Sequence, residues 1–179
     1  MAQENIDIPD DFELPVGAFD IPRCYDGDLK SVIIPEGMIR DRVRRLAKDI
    51  HEVIGNEQLA LLCVLKGSYK FFTALIMGLA NLEELRGKNV LVVDDIVDSG
   101  QTMAKLLHTL KENGVKQSWT ALLVSKRVPR MIQVPENFVA FRIPDKFIVG
   151  YGLDYNQKFR DLNHICVMSS KGIERYKNK

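Results

Sequence analysis

Gly87-Lys88-Asn89-Val90-Leu91-Val92-Val93-Asp94-Asp95-Ile96-Val97-Asp98-Ser99-Gly100-Gln101-Thr102-Met103 is the stretch whose reading decides the fold. Val90 to Val93 are apolar and mostly β-branched, the composition of a buried strand. Two carboxylates, Asp94 and Asp95, follow at its end. Asp98, a small hydroxyl residue, a glycine and a threonine then lead into helical spacing from Met103 to Asn113, with Gly114 as a C-terminal stop. Parallel strands in open α/β sheets bind ligands at their carboxyl ends. A loop of Ser99, Gly100, Gln101 and Thr102 at a helix start offers backbone N–H groups, hydroxyls and the positive end of the helix dipole, which suit a phosphate. Gly100 lets the backbone approach that anion closely. Asp94 and Asp95 would repel it and suit instead the vicinal hydroxyls of a neutral sugar. Together these parts read as a pocket for a ribose 5-phosphate.

The rest of the composition narrows the class. A chain of 179 residues fits one domain with a sizeable core. A net charge of +1 supplies no general field for nucleic acid or a membrane surface, so anion binding must come from local sites. The longest apolar runs, near Leu59–Leu65 and Thr73–Ala80, are too short to span a bilayer. The N-terminus is acidic and lacks a charged-then-apolar leader, which points away from secretion and toward the cytoplasm. Cys24, Cys63 and Cys166 are odd in number and scattered, so they read as reduced packing residues.

Taken in order, residues 1–31 mix acids, Pro and Gly and read as an N-terminal arm or cap. Residues 32–168 read as the α/β core and 169–179 as a C-terminal tail of the same single domain. Ser31 to Pro35 is a short strand. Met38 to Ile54 has apolar residues at helical spacing, and its basic run of Arg40, Arg42, Arg44, Arg45 and Lys48 reads as a solvated face or subunit interface. Leu59 to Leu65 is a buried strand ending in Lys66-Gly67-Ser68 before a helix from Tyr69 to about Leu82; a Lys and Gly there again suit an anion. Trp119 to Ser125, Phe138 to Ile143, Phe147 to Gly150 and Ile165 to Met168 are further strands. Strands alternating with helices predict a mainly parallel central sheet with helices on both faces.

The residues also carry a resemblance. The pattern over Val90 to Thr102 is similar to the phosphoribosyl pyrophosphate (PRPP) signature of the type I phosphoribosyltransferases. Leu62-Cys63-Val64-Leu65-Lys66-Gly67, Leu123-Val124-Ser125-Lys126-Arg127, Ile143 to Tyr155 and Phe159-Arg160-Asp161-Leu162-Asn163-His164 resemble the hypoxanthine-guanine members of that family. So do Val32 to Gly37 and Asp41 to Ala47.

The resemblance implies a type I phosphoribosyltransferase fold with a small cap from the N-terminal arm and C-terminal segment. It implies purine salvage: PRPP and hypoxanthine or guanine giving IMP or GMP and pyrophosphate. Asp98 matches the family's general base toward purine N7. Asp94 and Asp95 match the acid pair on the ribose, with Ile96 and Val97 beside them in the PRPP site. Ser99, Gly100, Gln101 and Thr102 match the 5-phosphate loop. Lys66, Gly67 and Arg160 match the pyrophosphate site, where Arg suits bidentate phosphate contacts.

Lys126 matches the lysine that donates to the C6 oxygen. Lys146, Phe147 and Ile148 fall in the purine-binding segment, with Phe147 matching the stacked ring. Asp154, also at the purine end, matches a Mg²⁺ ligand. Tyr151 and Tyr155 read as packing residues, and His164 as a donor to a backbone group. A homodimer or homotetramer is the family's common state.

Departures from the family pattern are Ser68, Gln101 and an apparent insertion at Ser125. A larger one lies between Ala80 and Lys88. There the family carries another strand and a long loop that closes over the reacting centre, whereas Asn81 to Arg86 connects the two segments directly. A lid excludes water from the reaction. Its loss raises a second expectation, a non-catalytic or weakly active PRPP- or nucleotide-binding homologue.

Overall fold

The computed structural model describes residues 5–64, 70, 85, 87–130 and 132–177. Among them lie eight strands: β1 (Ile6–Asp7), β2 (Leu29–Ile34), β3 (Leu59–Cys63), β4 (Asn89–Val97), β5 (Gln117–Lys126), β6 (Phe138–Ile143), β7 (Ile148–Val149) and β8 (Ile165–Met168). The helices are α1 (Glu36–Ile54), α2 (Gln101–Glu112) and α3 (Ser170–Tyr176). Five strands form a parallel sheet in the order β1-β6-β5-β4-β3. The expected central sheet is therefore present, and β4 lies between β5 and β3.

Alternation along β4 explains the layers. Leu91 and Val93 pack with Ile39, Val43, Leu46 and Ile50 of α1, while Val90 and Val92 pack with Met103 and Leu110 of α2. The two helices therefore cover opposite faces, and β4 is buried on both, as its near-continuous apolar run predicts. Ile39, Leu46 and Ile50 are fully buried. Each such side chain contributes about 1.5–3 kcal/mol through its removal from water.

The basic run on α1 is not uniformly solvated. Arg42 is buried, donating through Nε to the carbonyl of Ala140 and through Nη2 to that of Val139, both at 3.2 Å. Asp49 balances it at 3.4 Å and also meets Arg45 at 2.8 Å. Arg42 thus ties α1 to β6, whereas Arg45 remains exposed as expected.

The cap contains a sheet of its own, antiparallel, in the order β2-β8-β7. Its apolar cluster gathers Tyr25, Val32, Phe159, Leu162, Cys166 and Tyr176 from both ends of the chain. The buried carboxylate of Asp28 binds α3 to the arm, accepting from the Tyr176 hydroxyl at 3.0 Å and from Arg175 at 3.1 Å. The strand read from Ser31 begins at Leu29, and that read from Phe147 is confined to Ile148 and Val149. The helix expected from Tyr69 to Leu82, the Lys66-Gly67 turn and the Asn81-to-Arg86 connection lie outside the described residues, apart from single positions.

Candidate active site

The acid pair was expected to follow its strand; β4 instead runs through it to Val97. Two carboxylates are tolerated there because each side chain bonds locally. Asp94 Oδ1 accepts from the N–H of Asp95, and Asp95 Oδ1 from that of Ile96, both at 3.0 Å. Burial first, and the neighbouring Asp95 charge second, push Asp94 up to about 8. Burial also raises Asp95, against the opposing effects of local hydrogen bonds and of Arg160.

Beyond Val97, Asp98 and Ser99 are exposed and Gly100 is buried in the left-handed region at φ 80°. A Cβ at Gly100 would stand 2.9 Å from the carbonyl oxygen of Ile132, so only glycine fits without movement. No side chain caps α2 at Gly100, and the nearest hydroxyl, Ser99 Oγ, is 3.5 Å from the Gln101 N–H. The first-turn N–H groups and the exposed Gln101 and Thr102 leave this end open to an anion.

A cavity of about 350 Å³ opens beside this loop. Asp95, Ile96, Lys126, Phe147, Ile148, Leu153, Asp154 and Arg160 line it, bringing the ends of β4 and β5 together with the start of β7 and the loop after it. Lys126 Nζ is held by Asp145 at 3.1 Å and lies 3.9 Å from Asp98 Oδ1. Phe147 is 42% exposed, so its ring is not spent on the core. Tyr155 stands edge-on to it, centroids 5.0 Å apart, and the Phe147 carbonyl accepts from the Met168 N–H at 2.9 Å.

Asp154 and Arg160 form a pair on the same wall. Arg160 Nη2 meets Asp154 Oδ1 at 2.7 Å, while Nη1 donates to the carbonyl of Gly152 at 2.6 Å. Asp154 Oδ2 accepts from the Gln157 N–H at 2.7 Å. The loop carrying them is conformationally costly: Tyr151, Asn156, Gln157 and Phe159 all have positive φ. Gly150 starts it where a Cβ would fall 2.1 Å from the carbonyl oxygen of His164.

Of the residues singled out from sequence, seven line this cavity: Asp95, Ile96, Lys126, Phe147, Ile148, Asp154 and Arg160. Asp94, Val97, Asp98 and the Ser99–Thr102 loop are not among its lining; Asp98 adjoins it through Lys126. Lys146 precedes Phe147 on the chain. Its Nζ turns to Glu13 at 3.3 Å, where Lys30 also binds, so it braces the arm and stays off the lining. Lys66 and Gly67 lie outside the described residues.

His164 reverses its expected polarity, its Nδ1 accepting from the Glu36 N–H at 3.0 Å. Sequence reasoning missed three supports. Leu153 lines the cavity, and Asp145 holds Lys126. Arg130 donates to the carbonyls of Val97 at 2.9 Å and Lys126 at 3.1 Å, tying the two strand ends. Only Asp145 was signalled locally, by its place between Pro144 and Lys146 within the purine segment.

Comparison with known proteins bears on this geometry. A family model described as phosphoribosyl transferase domain matches residues 76–156. The hypoxanthine-guanine phosphoribosyltransferase of Canis lupus familiaris is 42% identical over 196 aligned positions, covering 89% of this chain and 90% of the relative. This chain belongs to the hypoxanthine-guanine phosphoribosyltransferase family. The Homo sapiens member is 41% identical with the same coverage. A crystal structure of the Schistosoma mansoni enzyme in complex with IMP superposes with a TM-score of 0.89 at 38% identity, covering 97% of this chain and all of that one.

The fold is thus the type I phosphoribosyltransferase fold, and the chain is a phosphoribosyltransferase. The alignments are longer than the share of this chain they contain, so the relatives carry residues within the matched span that have no counterpart here.

Proposed function

We propose that this chain transfers the 5-phosphoribosyl group of PRPP to N9 of hypoxanthine or guanine, giving IMP or GMP and pyrophosphate. One observation carries the reading. A single cavity is lined by a guanidinium and carboxylate at Arg160 and Asp154, a buried carboxylate at Asp95, and an ammonium beside an unspent aromatic face at Lys126 and Phe147. A phosphorylated sugar with a purine needs those groups together. Asp98 is the base that takes the N7 proton as the N9–C1′ bond forms and the bond to pyrophosphate breaks. Such help is typically worth ~10²–10⁴ in rate.

Asp94 and Asp95 hold the ribose hydroxyls, with Ile96 and Val97 forming the strand end beneath them. Ser99, Gly100, Gln101 and Thr102 hold the 5-phosphate on the open end of α2. Lys66, Gly67 and Arg160 serve the pyrophosphate. Lys126 donates to the C6 oxygen; adenine carries there an amino group that cannot accept, which disfavours adenine. Phe147 stacks on the purine while Ile148 flanks its edge.

The donors at the cavity fit Mg²⁺. They are hard carboxylate oxygens, and no group of three or more His, Cys, Asp or Glu among the described residues forms a complete cage. Mg²⁺ commonly takes one or two carboxylates plus substrate phosphates and water. Asp154 would supply the protein ligand, and the ion when bound offsets charge on the departing pyrophosphate. The family's occurrence as homodimer or homotetramer, and its place in the cytoplasm, extend this reading. Among the described residues no helix is long and apolar enough to cross a membrane.

A second reading, a weakly active or non-catalytic PRPP- or nucleotide-binding homologue, is supported by the residues that the relatives carry and this chain lacks. Turnover with Mg²⁺ and PRPP against hypoxanthine, guanine, xanthine and adenine separates the two. IMP or GMP formation supports transfer. Binding of IMP with no product from any base supports the second reading.

A further inference from the structure

The N-terminal arm reaches the turn that carries Arg160 through Tyr25. Tyr25 ends a short 3₁₀ turn, Arg23–Tyr25, and is buried. Its hydroxyl donates to Asp161 Oδ1 at 2.7 Å and accepts from the N–H of Phe159 at 3.2 Å. The two partners flank Arg160. The Tyr25 ring lies against that of Phe159, centroids 4.5 Å apart, and Phe159 is fully buried with Tyr176 edge-on to it.

Phe159 needs such a grip. Its φ of 71°, with 47° at Asn156 and 65° at Gln157, places three residues with side chains in the left-handed region. Conformations of this kind persist only where surrounding contacts over-determine them. Lys70 adds a second hold on the same turn, its Nζ donating to the carbonyls of Asp161 and Leu162, each at 3.1 Å. Burial and the Asp161 carboxylate push the Tyr25 hydroxyl up to about 12, so it keeps its proton through the neutral range.

We propose that Tyr25 is a positioning residue for Arg160: it fixes the strained turn that holds the guanidinium on the cavity wall, and so sets affinity for the pyrophosphate end of PRPP. The inference rests on the assignment of Arg160 to that end. Arg160 already spends two nitrogens on Asp154 and Gly152, which set its direction but not the height of the turn. Tyr25 sets that height from the cap, 134 residues away in sequence.

Tyr25→Phe keeps the ring and removes the grip. The KM for PRPP should rise roughly five- to tenfold, the loss of about one hydrogen bond, with kcat and the KM for hypoxanthine within about twofold. Asp161→Ala removes the acceptor without touching the core and should move the same constants. The Phe159 amide, read by hydrogen exchange, should lose protection in Tyr25→Phe. In an Arg160→Ala background, Tyr25→Phe should add no further rise in the KM for PRPP.

If exchange at Phe159 is unchanged, or if stability falls while the KM for PRPP holds, Tyr25 is packing alone and the proposal is overturned. If Arg160→Ala binds PRPP like the parent, the assignment of Arg160 fails instead.

Discussion

His164 Nδ1 accepts a hydrogen bond from the backbone N–H of Glu36, 128 residues earlier in the chain. Pro35, the residue before α1, offers no side-chain cap, so this imidazole does the capping from the end of the C-terminal loop. Phe19 holds the ring edge-on at 5.0 Å. His164→Ala should therefore cost about 0.5–2 kcal/mol, the ordinary value of a lost cap, measured as a lower urea midpoint with unchanged slope.

Asp94 gives stability a pH dependence of defined sign. Its folded-state value, about 8, lies above the ordinary value of 3.8. Across that window the unfolded chain has released a proton that the folded chain keeps, so stability falls as pH rises. The slope from this group is at most about 1.4 kcal/mol per pH unit. Asp94→Asn should flatten the curve, gaining on the parent between pH 5 and pH 8. Urea melts at several pH values test it; parallel curves would show that Asp94 is ionised throughout.

Asp98 is exposed and stands 3.9 Å from Lys126, so its carboxylate can be neutralised without disturbing the core. Asp98→Asn should leave PRPP affinity unchanged and lower kcat by ~10²–10⁴. Calorimetry with PRPP beside steady-state turnover checks both parts, and unchanged turnover removes Asp98 from the base role.

In the proposed reaction Lys126 serves one atom of the base, so its loss should be selective. Lys126→Ala should lower kcat/KM for hypoxanthine and guanine by about 10- to 100-fold, the cost of a lost charged hydrogen bond, with far less effect on any residual adenine use. Equal loss with every base would mean that its bond to Asp145 supports folding instead.

The alternation of strands and helices was legible because apolar periodicity is local, and α1, β6 and β8 lie within two residues of where the pattern puts them. β4 was cut short at Val93 because adjacent acids signal a loop. They remain in the strand because each carboxylate accepts from the next N–H and Asp95 faces the cavity. Arg42 read as solvated since nothing in a helix face announces two carbonyls of β6 beneath it. The ion pair between Lys146 and Glu13 of the arm was not legible because its partner lies 133 residues away. Tyr25 and Arg130 escaped, and His164 was read with the wrong polarity, for one physical reason: their partners are distant in sequence, or are backbone groups that no side-chain pattern reveals.

The placement of β8 in the middle of the cap sheet, between β2 and β7, has a consequence for the order of assembly. Ile148 pairs with Val167, and the Phe147 carbonyl is bonded by Met168. During synthesis the carboxyl ends of β4 and β5 emerge well before those partners. The side of the cavity formed by Phe147 and Ile148 must therefore wait for residues 165–168, and a nascent chain stopped before them would leave the cavity open on that side.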